Sequence, residues 1–307
     1  MTTVIKATGL TREFRTGALP SKNAATRALA DVSFTVNEGM VYGLLGRNGA
    51  GKTTLMSIIT GQDRPTRGTI EVLGHAPFEH APTSEAVSFI RDNQRYPDDF
   101  TLRFALKSAA RFRPNWDAEL AARLSDTFRL PSKTPIKKYS RGQLSALAII
   151  LGLAARTPLT LLDEPYLGLD ATARQAFYDI LLNEQLNHPR TFLISTHLVT
   201  EMENIFDHAI VIDRGRIALD SPVDDLSGTY TLVSGLGTRV AEFTRDAPVL
   251  QTRTVGALVS TLVAKSFSKS DIDSARADGL EVAPADLQSV VSALGATSEQ
   301  PADQADA

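Results

Sequence analysis

Residues 46–53 read GRNGAGKT and fit the spacing G-x-x-x-x-G-K-[ST]. Gly46, Arg47, Asn48, Gly49, Ala50 and Gly51 make a turn whose backbone N–H groups can curl around phosphate oxygens at a helix N-terminus. The helix dipole favours an anion there. Lys52 can neutralise charge on β- and γ-phosphates, and the Thr53 hydroxyl can ligate Mg2+. Thr54, which continues the helix start, is grouped with this phosphate loop. The apolar run MVYGLLG (40–46) precedes the loop and the helical TTLMSIIT follows it, which is the context the motif needs. A glycine-rich turn arising by chance is the minor reading, since strand, lysine and threonine are all present.

A second stretch, LTLLDEP (159–165), is an apolar run ending in two carboxylates. Asp163 at the end of the run can hold the shell of a Mg2+ ion. Glu164, pointing the other way, can polarise a water for in-line attack on a γ-phosphate. Alone, the pair would read better as an acidic helix cap; beside a phosphate loop that reading becomes the minor one. STH (195–197) closes another apolar run. A lone histidine is more often a structural hydrogen-bonder, but parallel sheets gather ligands at the C-terminal ends of their strands. His197 is therefore expected to contact the γ-phosphate. His75, His80, His188 and His208 lack metal-ligand spacing and are expected at the surface or in loops.

These residues need a frame. The runs 40–46, 159–164, TFLIST (191–196) and HAIVID (208–213) read as buried strands separated by helical patterns, which predicts an α/β fold with a largely parallel core sheet. ADVSFTV (30–36) and GTIEVLG (68–74) alternate as half-exposed antiparallel strands do. From about Pro97 to Ala155 the spacing is helical, with Asp117 expected to cap the second helix. DRGRI (213–217) reads as a tight turn between two strands. After about Leu226 the composition shifts to Gly, Ser and Thr. The last clear element, PADLQSVVSALG, reads as a helix with Pro284 at its start and Gly295 at its end. ATSEQPADQADA (296–307) is polar, low in complexity and expected to be disordered.

The 307 residues suffice for one large α/β domain and a smaller one. A net charge of −3 disfavours nucleic acid as an electrostatically driven partner, and the absence of cysteine removes disulfides, thiolate metal sites and a Cys nucleophile. The N-terminus lacks the build of a signal peptide, and the longest apolar run, from Leu144 to Ala155, is too short to span a bilayer. Contact with a membrane is expected to run through a partner, with no direct insertion.

Residues 46–53, Gln94, Tyr139-Ser140-Arg141-Gly142-Gln143, Asp163 with Glu164, Asp170 and His197 occur in the order and approximate spacing of ATP-binding cassette (ABC) ATPases. Over about residues 4–226 the chain resembles that family. The resemblance implies a P-loop cassette over residues 1–226, with a mostly parallel core sheet, an antiparallel β subdomain and a helical subdomain over about 97–157. A small α+β accessory domain (227–295) and a disordered tail (296–307) would follow. It further implies two cassettes, copies or paralogues, packed head to tail with two ATP molecules between them. Each ATP would lie between one phosphate loop and the other subunit's signature helix.

On that resemblance Gln94 is the Q-loop residue near Mg2+ and the attacking water, and the RYPDDF after it faces a transmembrane partner. Asp170 is the D-loop aspartate at the dimer interface. Phe14 resembles the aromatic that stacks on adenine, although RTGALPSKNAATR lengthens its spacing to the phosphate loop. A phenylalanine after a β-like segment is core about as often as it is a base platform.

The family signature is usually Leu-Ser-Gly-Gly-Gln. Here Ser140, Gly142 and Gln143 remain, while Arg141 replaces a glycine. That matters if the position needs a positive φ or a very close backbone approach, and it also adds a cation near triphosphate charge. With Lys52, Gln94, Glu164 and His197 intact, the motif reads as a working variant. SRGQLSALAI and DEPYLGLDATAR resemble a bacterial exporter-type subgroup whose permeases are separate polypeptides. Tyr166 departs from the small residue usual at its position. The implied function is ATP hydrolysis driving transport, expected as export, through a separate integral-membrane permease, with the chain cytoplasmic at the inner face of the cell membrane. The alternative is a soluble ABC ATPase acting as an ATP-gated binding module on a ribosome or DNA; such proteins typically carry two cassettes or a long coiled-coil insertion.

Overall fold

The computed structural model describes residues 2–15, 25–91 and 94–297. The first elements are β1 (Thr3–Arg15), β2 (Ala25–Asn37), β3 (Val41–Leu45), α1 (Lys52–Ile59), β4 (Arg67–Val72), α2 (Ala81–Ala86) and β5 (Val87–Arg91). Then come α3 (Leu102–Phe112), α4 (Ala118–Thr127), a 3-10 turn at Ile136–Lys138 and α5 (Arg141–Ala154). The chain returns through β6 (Leu159–Asp163), α6 (Ala171–Asn187), β7 (Thr191–Thr196), α7 (Val199–Met202), β8 (His208–Asp213) and β9 (Arg216–Pro222). Its last part holds α8 (Val223–Thr229), β10 (Thr231–Leu236), α9 (Gly237–Phe243), β11 (Val249–Val255), β12 (Leu258–Val263), α10 (Lys269–Ala277), β13 (Glu281–Pro284) and α11 (Leu287–Thr297).

Three sheets result. The core sheet has the order β5-β6-β7-β3-β8-β9, parallel from β5 through β8, with β9 antiparallel at one edge. β3, β6 and β7 are buried along their whole length, which is why their sequences are continuous apolar runs rather than alternating ones. A second, antiparallel sheet, β2-β1-β4, carries the two stretches that alternate. The β8–β9 hairpin turns through Arg214 (φ 45°) and Gly215 (φ 75°), the left-handed pair that suits the twist of a tight hairpin. In register, Leu45 lies beside Thr196 and Asp163 beside Ser195, so the ends of β3, β6 and β7 emerge together.

The helical segment packs through Leu120, Ala121 and Leu124 of α4 and the buried face of α5 into the main apolar core. Buried Glu184 on α6 is 3.3 Å from Arg190 and 3.6 Å from Arg156, and Arg190 also donates to the Leu153 carbonyl, which fastens the end of α5 to α6. Asp117 caps α4 by accepting the Leu120 N–H at 2.7 Å, and its other oxygen lies 2.9 Å from Arg156. That accepted hydrogen bond, helped by Arg156, holds the Asp117 carboxyl below the usual carboxylate range. Asp117→Ala is expected to cost about 1 kcal/mol of unfolding free energy at pH 7 in urea titrations. Because the folded-state value is lowered, the carboxylate's stabilisation is full above about pH 4 and fades as pH falls through the lowered value.

Several expectations need correction. β5 was not anticipated, yet it forms an edge of the core sheet. His208 is not a loop residue: it lies in β8, its Nε2 is 2.6 Å from Asp220 Oδ1, and its ring sits 5.0 Å from that of Tyr42. His80 does lie in a loop, as expected, and from there caps α2 through its ring nitrogen. Pro284 does not start the last helix. It ends β13, and Asp286 caps α11 by accepting the Ser289 N–H at 2.6 Å. Gly295 does not end that helix either, since α11 runs to Thr297 and overlaps the start of the expected tail; residues 298–307 lie outside the described residues, as do residues 16–24 of the lengthened loop.

The accessory part is α+β, with a four-stranded antiparallel sheet in the order β11-β12-β10-β13. Its last helix does not stay within it. Val290 and Ala293 of α11 face the accessory core, while Leu287 joins the main core and Val291 and Leu294 pack on it. Among the described residues, no helix is long and apolar enough to cross a membrane.

Candidate functional site

The phosphate loop follows β3 directly. Gly46 has φ 145° and Gly51 has φ 114°, values that L side chains rarely adopt. A Cβ at Gly46 would stand 2.1 Å from the Ile212 carbonyl oxygen, and one at Gly51 would stand 2.7 Å from that of Ala28. The backbone is therefore pressed against β8 and β2 as it wraps. Gly51 is the N-cap of α1 and supplies no side-chain acceptor, so the helix start keeps its N–H groups for an anion. Lys52 is buried, and its Nζ donates to the carbonyls of Gly46 at 2.7 Å and Arg47 at 3.3 Å. Burial pushes its ammonium below the usual lysine range, against the pull of Glu164 and Asp163.

The two carboxylates at the end of β6 diverge. Asp163 Oδ2 accepts the Thr53 hydroxyl at 2.8 Å, and its Oδ1 accepts the Ser195 hydroxyl at 2.5 Å. Glu164 turns its backbone into the left-handed region (φ 50°), held by N–H contacts to the Ser195 hydroxyl and carbonyl at 3.1 and 3.3 Å. Its Oε2 accepts from the Tyr166 hydroxyl at 2.6 Å and from His197 Nδ1 at 2.8 Å, so Nδ1 carries the ring proton in this contact. Its Oε1 is buried, lies 3.7 Å from Lys52 Nζ and accepts no hydrogen bond among the described residues. Gln94, three residues beyond β5, has a buried side-chain oxygen that is likewise unpartnered among the described residues.

Most of the expected site residues line one of two separate clefts. Asn48, Gly49, Gly51, Lys52, Thr53, Thr54, Asp163 and Glu164 line one cleft of about 180 Å3, with Ala28 of β2 on its wall. Ser140, Gly142, Gln143 and Asp170 line another of about 500 Å3, and no lining residue is shared. Phe14 lines neither; it is exposed on β1 opposite Thr26, with the Arg12 guanidinium 4.5 Å from its ring centre.

At the second cleft Ser140 and Gln143 form a reciprocal capping box at the start of α5. Asp170 caps α6 by accepting the Ala173 N–H at 2.8 Å. Arg141 is an ordinary first helical residue and is absent from the positive-φ positions, so a side chain there strains nothing. The close approaches lie beside it. A Cβ on Gly142 would stand 2.5 Å from the Gly168 carbonyl oxygen, and one on Gly168 would meet Arg141 Cγ at 2.8 Å. Signature and D-loop are packed back to back.

Three contributors escaped the sequence reading. Ser195 orients the Asp163 carboxylate and holds the Glu164 backbone, Tyr166 holds the Glu164 carboxylate, and α11 flanks the phosphate loop. Gln288, Val291, Ser292 and Gly295 of α11 share a cleft of about 320 Å3 with Gly46, Arg47, His197 and Val199. Only Tyr166 had left a signal, as an unusual residue beside the carboxylates.

A parallel core sheet with this loop and these strand ends defines a P-loop nucleotide-binding domain of the cassette architecture. The sequence profile described as ABC transporter matches residues 29–167. The Nod factor export ATP-binding protein I of Ralstonia nicotianae is 31% identical over 232 residues, covering 68% of this chain and 72% of that protein. The ABC transporter ATP-binding protein YtrB of Bacillus subtilis is 26% identical over 241 residues, covering 78% and 82%. A solved ATP-binding subunit of an ABC transporter superposes with a TM-score of 0.62 at 26% identity, covering 73% of this chain and 91% of the other. The chain belongs to the ABC transporter family as an ATP-binding subunit of the cassette ATPase class.

Proposed function

We propose that this chain is the energy-converting half of an exporter: it pairs with a second cassette, hydrolyses ATP at the shared faces, and drives a separate integral-membrane permease. One observation carries the pairing. Lys52 and Glu164 line one cleft and Ser140 and Gly142 another, with no residue in common, so one chain offers two half-sites. A head-to-tail pair, of copies or paralogues, completes both. Export is supported by the name of the Ralstonia relative. Residues 1–226 work as the cassette, with the helical subdomain over about 97–157, and residues 227–295 as an accessory domain that reaches back through α11.

At the completed site the loop N–H groups and Lys52 hold the β- and γ-phosphates, and Ser140 with the start of α5 meets the γ-phosphate of the opposite ATP. Phe14 stacks on adenine, and His197 contacts the γ-phosphate. Glu164 Oε1 takes the proton of an in-line water as that water's oxygen bonds to the γ-phosphorus and the bridging bond to ADP breaks. The Thr53 hydroxyl and an Asp163 carboxylate oxygen, 2.8 Å apart, are oxygen donors that fit Mg2+, and the Gln94 oxygen, buried and unpartnered among the described residues, is assigned to the same ion. Those residues would hold the ion, which neutralises phosphate charge when bound. Arg141 leaves the signature able to work, since its backbone is relaxed.

The test is copurification. A tagged Glu164→Gln chain, extracted from detergent-solubilised membranes in ATP, is expected to bring along one multi-spanning membrane protein. Recovery with ribosomal particles or DNA, and with no membrane protein, would overturn the transporter reading in favour of a soluble factor. The chain then sits at the inner face of the cell membrane, on the cytoplasmic side, through its permease.

A further inference from the structure

We propose that Tyr166 is a positioning residue for hydrolysis: its hydroxyl anchors one oxygen of Glu164 and so presents the other to the attacking water. The inference rests on the reading of Glu164 as the base, and deepens it.

The Tyr166 side chain is 1% exposed and its ring belongs to the main apolar core, so the hydroxyl is delivered from a fixed platform. Three polar partners surround its oxygen: Glu164 Oε2 at 2.6 Å, the Thr196 hydroxyl, and the His197 N–H at 3.3 Å. A tyrosine hydroxyl has one proton to give. An ionised carboxylate can only accept, so the proton goes to Glu164, and the Thr196 hydroxyl and His197 N–H donate to the tyrosine oxygen. Thr196 is free to donate because its own oxygen accepts the Leu198 N–H at 2.8 Å. The chain of donors therefore has one direction, from Leu198 through Thr196 and Tyr166 to Glu164.

With His197 Nδ1 on the same oxygen, Oε2 is held by two donors. Oε1 is then the oxygen left for chemistry; it is buried, unpartnered among the described residues, and 3.7 Å from Lys52 Nζ. The anchor matters more because the Glu164 backbone sits at φ 50°, a conformation a non-glycine residue keeps only when its surroundings hold it. A small side chain at position 166 could not reach Oε2 from the apolar core. Tyr166 also ties the end of β6 to the end of β7, so Glu164 and His197 are placed by one group.

The experiment compares Tyr166→Phe, Glu164→Gln and the double variant of the full chain, measuring kcat and KM for ATP, nucleotide affinity and thermal melting. Tyr166→Phe is expected to lower kcat about ten- to a hundredfold, the fold-change of one hydrogen bond to a charged group, with KM and ATP affinity unchanged and the melting temperature lowered only by the lost buried hydrogen bonds. Added to Glu164→Gln, it should lower the residual rate no further. Parental kcat in Tyr166→Phe beside an inactive Glu164→Gln would overturn the positioning role alone. A loss of ATP affinity in step with kcat would overturn it in favour of simple packing. Parental kcat in Glu164→Gln would overturn the base assignment and this inference with it. Where Tyr166→Phe does not accumulate as folded protein, Thr196→Val takes its place, since it keeps the ring and removes a hydroxyl that orients it. Reduced kcat at unchanged KM supports the role, and parental kcat overturns it.

Discussion

Glu164→Gln is expected to lower the rate of ATP hydrolysis by about 10²–10⁴-fold while ATP still binds and the chain accumulates as an ATP-bound pair. The substitution is nearly isosteric and keeps one oxygen to accept from Tyr166 and His197, but removes the negative charge that accepts a proton from water. Nothing in the phosphate loop depends on that charge for its shape: the Gly46 and Gly51 turns are fixed by β8 and β2, and Lys52 is held by two carbonyls. Binding and chemistry should therefore separate. Phosphate release measures the rate, and analytical ultracentrifugation in ATP and Mg2+ measures the pair. A monomer at saturating nucleotide would sink the two-cassette mechanism, and a parental rate would sink the assignment of Glu164.

Lys52→Ala is expected to act earlier and remove nucleotide binding itself. The ammonium is buried where the loop folds around it, and removing one partner of a buried charged contact typically costs about 2–5 kcal/mol, or some 30- to 4,000-fold in affinity. The variant also leaves Glu164 Oε1 without its neighbouring cation. Titration calorimetry with ATP measures the loss, with thermal melting as the control for folding. Unaltered affinity in a folded variant would undo the phosphate-loop assignment. Together the variants divide the cleft into a part that binds and a part that cuts.

How far the sequence could be read follows from the range of each interaction. The phosphate loop, the acidic pair at the end of β6 and the signature are each a contiguous run of residues, so spacing alone announces them, even though the Asp163 carboxylate finds its partners on α1 and β7 far along the chain. β3, β6, β7 and β8 are continuous apolar runs because parallel strands are covered on both faces. β5 follows α2 with no intervening residue, and so had no turn signal to mark it. Pro284 and Gly295 misled because proline and glycine are usual helix punctuation, whereas here one ends a strand and the other lies against Arg47. Tyr166 could not be decoded at all: its partners on β7 are brought to it only by the parallel register of β6 and β7.

The contact of Gly142 with Gly168 has a consequence for any assembly of two such chains. With no room for even a methyl group between them, the start of α5, which we propose meets one ATP, and the loop that leads to Asp170 form a single mechanical part. A shift imposed on one by a bound nucleotide is passed to the other. Such coupling is reciprocal: whatever one site does to the affinity of its neighbour, the neighbour does in return. The pair would count its nucleotides together rather than one at a time.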